Sequence, residues 1–205
     1  MEEEKKIKLI EWEFDDVMGE LKRISLVSDP AIDEDFMLFN TELKFQTIDD
    51  EKRVVTGPAM IPDMKIPRRD ENNELYYGFF SSDTVERAAQ IFFKKGSNTN
   101  NTNLEHEFEV DGVNFFESWI VENPEMDKSK ELGFNVPKGT WMVSAKIDND
   151  TIWNNYIKSG LIKGFSVEIK AQENEVQLIA QLKDILSSDI SVDEQWDRLT
   201  QVLKQ

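Results

Sequence analysis

The chain contains no cysteine and one histidine, His106. The first absence excludes disulfide frameworks, thiolate metal sites and cysteine nucleophiles together. The second leaves imidazole chemistry a single place to occur. Zinc is disfavoured as well, because Asp and Glu would have to supply nearly every ligand, and oxygen donors suit harder cations. Long apolar runs are also missing. No window approaches the roughly 18 residues that a spanning helix needs, and the opening MEEEKK is not followed by the apolar stretch of a signal peptide. Positive charge is scarce: 24 Lys and Arg stand against 41 Asp and Glu, for a formal net charge of -17. A field of that sign repels a nucleic-acid backbone and an anionic membrane face alike. No nucleic acid or membrane is therefore expected as a partner, and no cofactor is expected.

What is present is enough for one folded body. Of 205 residues, 39% are apolar, and 13 Phe and 5 Trp supply bulk for a core. Strands are expected before Pro30 and over 36–45, 53–61, 75–80, 140–147 and 164–169, with Gly57 and Pro58 bending the second of these ranges. Residues 64–73 and the run GSNTNNTN at 96–103 are expected as exposed loops. A helix is expected over 84–95, where Val85, Ala88, Ala89, Phe92 and Phe93 recur at helical spacing between Ser82-Asp83 and Gly96. A shorter amphipathic helix follows at 152–160. From Gln172 onward the pattern turns to two amphipathic helices, the second opened by Ser191 and Glu194 in a capping-box arrangement. The expected fold class is α+β: a mainly antiparallel, barrel-like core with a few helices and a helical C-terminal tail.

Residues 104–110 and 113–121 read as two strands separated by Asp111 and Gly112, a strong hairpin signal. In that register Val110 faces Val113, Phe108 faces Phe115, and His106 faces Glu117. Opposite residues lie roughly 4.5 to 5.5 Å apart at Cβ, close enough for the carboxylate to bond one imidazole nitrogen and raise the basicity of the other. A second feature is Ser166 in GLIKGFSVEIK, which shares a strand face with Glu168. Its functional reading is a nucleophile whose proton passes to His106. The bland readings are a satisfied His–Glu pair and a solvated edge hydroxyl.

The order of SLVSDPAI, LEHEF, FFESWIVE, KGTWMVSAKI, a short amphipathic helix and GLIKGFSVEI resembles the XkdF-type branch of the phage prohead (capsid maturation) proteases, serine proteases similar to the herpesvirus assemblin fold. The likeness runs over residues 24–170. It implies His106 as general base and Ser166 as nucleophile. Assemblin-type enzymes place a second His after the nucleophile, and this chain has none, so the third position passes to a carboxylate or is missing. The hairpin register nominates Glu117, with Glu168 as runner-up. The resemblance further implies an endopeptidase domain at 1–171 that cuts scaffold or capsid-protein segments inside the prohead, within the host cytoplasm. The tail at 172–205 would be scaffold-like or dimer-forming. The alternatives are a catalytically inactive capsid-assembly or scaffolding protein that keeps the fold, and a generic acidic binding domain with an incidental His.

Overall fold

Short strands make up most of the regular secondary structure among the described residues. The computed structural model describes residues 8–13, 20–28, 46–49, 52–70, 72–170, 172–175, 194–196 and 198. The described strands are β1 (Lys8–Glu13), β2 (Glu20–Val27), β3 (Gln46–Asp49), β4 (Val54–Met60), β5 (Ile66–Arg69), β6 (Leu75–Phe79), β7 (Thr102–Leu104), β8 (Phe108–Val110), β9 (Val113–Ile120), β10 (Trp141–Ile147), β11 (Gly164–Lys170) and β12 (Gln172–Glu175). The longest described helix is α1 (Ser82–Lys94); α2 (Lys128–Glu131) and α3 (Asp150–Ile152) are single turns. The strands form three four-stranded sheets, ordered β12-β1-β6-β5, β3-β4-β10-β9 and β11-β2-β7-β8. These sheets are open, so the expected strand-rich α+β class holds without the barrel-like closure.

Helix α1 buries Val85, Ala88, Ala89, Ile91 and Phe92 along one stripe. It ends where the Gly96 N–H bonds the Phe93 carbonyl and the Ser97 N–H bonds the Phe92 carbonyl, with Gly96 at a φ of 68°. That left-handed turn is open to glycine without steric cost. Phe92 meets Phe115 and Trp141 edge-on, with both pairs of ring centroids 5.6 Å apart, and Phe115 meets Phe165 at 5.5 Å. Phe165 is thereby anchored in the core, and the strand period of two turns its neighbour Ser166 to the opposite face of β11. Truncating a buried Phe of this kind costs about 3–5 kcal/mol.

Several segments depart from the sequence expectation. Residues 66–69 pair with β6 instead of forming a loop. The polar run at 96–103 is ordered against β9: the Phe115 N–H bonds the Asn98 carbonyl, the Asn100 N–H bonds the Val113 carbonyl, and Thr99 bridges Asn114. This occupation is why β8 and β9 do not pair. With one edge of β9 taken at its start, β8 pairs with β7, while the other edge of β9 pairs with β10. Asp111 and Gly112 carry the chain between two sheets. Only Gly112 has a positive φ, whereas a type I′ turn needs it at both central residues. The helix expected at 152–160 is α3 followed by one π-helical turn, Trp153–Ile157, whose Trp153 and Ile157 are buried.

At the start of the expected helical tail, residues 172–175 are strand, and β12 pairs antiparallel with β1. Helix is described at 194–196 and 198; Ser191, and with it the capping box, lies outside the described residues, as does the strand expected at 36–45. Among the described residues no helix is long and apolar enough to cross a membrane.

Candidate active site

Strand β2 lies between β11 and β7. Ile24 and Leu26 are fully buried on one face, which directs Ser25 to the other. Strand β11 pairs antiparallel with β2 so that Ser166 sits directly opposite Ser25, and Glu168 opposite Arg23. Two hydroxyls therefore face the same side of adjacent strands, at a Cβ separation of about 5 Å. They differ in access: Ser25 is 0% exposed, whereas Ser166 is partly exposed on β11, an edge strand of its sheet.

His106 reaches this pair from the tip of a tight hairpin. Strands β7 and β8 pair as Thr102↔Val110, Asn103↔Glu109 and Leu104↔Phe108, leaving Glu105, His106 and Glu107 as the turn. Glu105 and His106 adopt positive φ angles of 52° and 60°, a conformation costing roughly 1–2 kcal/mol for each side-chain-bearing residue. Local bonds offset it. The Glu105 N–H bonds the Leu26 carbonyl, the Glu107 N–H bonds the Leu104 carbonyl, and the Ser28 N–H donates to Glu105 Oε1 at 2.6 Å. The turn is thus tied to the end of β2, and the imidazole leans across that strand. Its Nδ1 lies 3.0 Å from Ser25 Oγ and its Nε2 lies 3.1 Å from Ser166 Oγ.

The structure therefore brings His106 and Ser166 together, with β2 between the elements that carry them. It does not bring Glu117 to His106. Glu117 lies on β9 opposite Ser144 of β10, accepts the Ser144 hydroxyl proton at 2.7 Å and pairs with Lys128. Burial raises the Glu117 pKa, but hydrogen bonds from Lys128 and Ser144 and the Lys128 charge outweigh it, and the net shift is downward. The expectation for Glu117 rested on a β8–β9 hairpin that does not form. Phe108, expected to face Phe115, is accordingly 65% exposed while Phe115 is buried.

Glu168 shares the Ser166 face but is engaged by Lys22 at 2.8 Å and by Arg23 at 3.6 Å. The Lys22 hydrogen bond holds its carboxyl below the usual range against the opposing effect of burial, and the charges of Lys22, Arg23 and His106 add to the lowering. Glu168 is therefore an anion near the imidazole, with its bonds directed to cations. Ser25 was not anticipated from sequence. The one available signal is a serine between two apolar residues of a strand, the same signal that singled out Ser166.

The arrangement has the elements of serine-nucleophile chemistry: an accessible hydroxyl, an imidazole in hydrogen-bond range, and a third group on the far ring nitrogen. A protein-family model described as "Putative phage serine protease XkdF" matches residues 42–175, well over half of the chain. The chain belongs to this family. The matched segment includes His106 and Ser166 and begins after Ser25. No curated protein and no solved structure matches the chain, so the assemblin likeness gains no support from a known fold.

Proposed function

We propose that this chain is a serine endopeptidase of phage capsid maturation, cutting scaffold or capsid-protein segments inside the prohead, with Ser166 as nucleophile and His106 as general base. The observation that carries this reading is the 3.1 Å approach of His106 Nε2 to Ser166 Oγ on an accessible strand. In the reaction, Ser166 Oγ attacks the scissile carbonyl while His106 Nε2 takes the hydroxyl proton. The imidazolium then gives that proton to the leaving amine, and the acyl-enzyme forms. A water that loses its proton to the same nitrogen attacks the ester, and collapse of the second tetrahedral species returns the proton to Ser166.

Family membership supports a phage serine protease; the prohead location and the substrate class extend it. Co-expression of the chain with the capsid and scaffold proteins of its own phage tests the proposal. Shortened products are expected with the wild-type chain and none with Ser166→Ala. Equal cleavage by both, or by neither, would remove the proposed mechanism; cleavage by neither would favour an assembly role for the fold.

A further inference from the structure

The nitrogen of His106 that points away from Ser166 is the part of the site that the family match does not explain. In a serine–histidine triad a third group holds that nitrogen and fixes the tautomer, because the imidazole can accept the nucleophile's proton at Nε2 only when its own proton sits on Nδ1. Both carboxylates that the sequence nominates are committed elsewhere, Glu117 to Ser144 and Lys128, and Glu168 to Lys22 and Arg23. The group found on Nδ1 is the Ser25 hydroxyl, at 3.0 Å.

We infer that Ser25 is the positioning residue of this site, a buried serine that accepts the His106 Nδ1 proton in the role usually given to a carboxylate or a second imidazole. The inference rests on the serine-protease reading above and goes beyond it to name the third member. Three observations combine. Ser25 is directly opposite Ser166 in the β2–β11 register, so one imidazole spans both hydroxyls. Ser25 is closed to solvent, which unsuits it as the nucleophile. The positive-φ turn at Glu105 and His106 is bonded to the Leu26 carbonyl, so the histidine is fixed against the same strand that carries Ser25.

A hydroxyl differs from a carboxylate in one chemical respect: it can also donate. If Ser25 donated to Nδ1, then Nε2 would carry the ring proton and Ser166 could not be deprotonated. Only the arrangement in which Nδ1–H donates to Ser25 Oγ is competent. Ser25 also brings no charge to the imidazolium formed during attack, which leaves Glu168 as the nearby anion on that face.

Because the chain has one histidine, nitrogen NMR of ¹⁵N-histidine-labelled protein reads this directly, with one Nδ1 and one Nε2 signal and no substrate. The wild-type chain should carry its proton on Nδ1 at a pH where the ring is neutral. Ser25→Ala should move the population toward the Nε2–H tautomer, and Ser166→Ala should leave Nδ1–H in place. In cleavage assays Ser25→Ala should lower kcat roughly 10²-fold with KM within about twofold, and Ser25→Thr, which keeps the hydroxyl, should recover part of the loss. A wild-type ring protonated on Nε2, or an identical tautomer balance in wild type and Ser25→Ala, would overturn the assignment. Should Ser25→Ala not fold, the wild-type tautomer decides alone. A chain with the expected tautomer but no cleavage activity would refute the protease reading while leaving the Ser25–His106 pairing intact.

Discussion

Replacing Glu117 with alanine separates the structure from the simplest sequence-based triad. Thr56, Ser144 and Glu117 lie opposite one another across β4, β10 and β9. Thr56 Oγ1 and Ser144 Oγ are 2.8 Å apart, both residues are 0% exposed, and Ser144 donates onward to Glu117. Two hydroxyl protons thus share two acceptors, the Ser144 oxygen and the Glu117 carboxylate. Without Glu117 one proton is left unpaired in the core, a loss of about 1–3 kcal/mol. For a chain of this size that corresponds to roughly 2–12 °C in Tm. Glu117→Gln keeps an acceptor for Ser144 and loses only the half-exposed Lys128 ion pair, so its cost should stay under about 1 kcal/mol. Neither variant touches His106, and kcat should remain within about twofold of wild type at a temperature where both are folded. The assay is a thermal melt beside a cleavage time course. A Glu117→Gln enzyme with wild-type Tm and kcat reduced 100-fold or more would return Glu117 to the catalytic site and refute the sheet assignment of β8 and β9.

Glu168 gives a pH signature. Its folded pKa lies below the ordinary value of 4.5, first through the Lys22 hydrogen bond, so its stabilisation is present above that value and is lost as pH falls through the folded pKa. Glu168→Gln should therefore flatten the fall of Tm below about pH 4.5, and at neutral pH should cost no more than about 1 kcal/mol, because the pairs are open to solvent screening; an acid limb identical to wild type would contradict this. At Gly78 a Cβ would run into the Trp12 indole, which packs on Phe80 and lies beneath the Arg68 guanidinium. Gly78→Ala should destabilise by about 1–3 kcal/mol, seen as a lower denaturant midpoint, and an unchanged midpoint would mean that Trp12 is not held over β6.

Local pattern was legible where one element decided the outcome. The apolar stripe from Val85 to Phe92 and the Gly96 stop gave α1, and the runs at 140–147 and 164–169 gave β10 and β11, with Ser166 on the polar side of its strand. Pairing was less legible. Asp111-Gly112 satisfies every local hairpin rule, but the segment Asn98–Asn100 competes for the same edge of β9, and that contest is settled by tertiary contacts absent from a local window. The actual histidine-bearing turn, Glu105–Glu107, has no glycine or asparagine at its positive-φ positions, so no turn signal marked it. Ser25, Ser144 and Ser166 are each strand serines among apolar neighbours. Ser25 bonds an imidazole, Ser144 bonds a carboxylate on the next strand of its own sheet, and Ser166 is the accessible hydroxyl; only the register distinguishes them.

Activation of Ser166 by His106 can be read out by covalent labelling with a fluorophosphonate followed by peptide mapping. Attack of an activated serine oxygen on phosphorus, with loss of fluoride, marks the nucleophile without need of the natural substrate. One adduct is expected, on Ser166, lost in His106→Ala and strongly slowed in Ser25→Ala. An adduct on Ser25, or labelling of Ser166 that persists unchanged without His106, would contradict that activation.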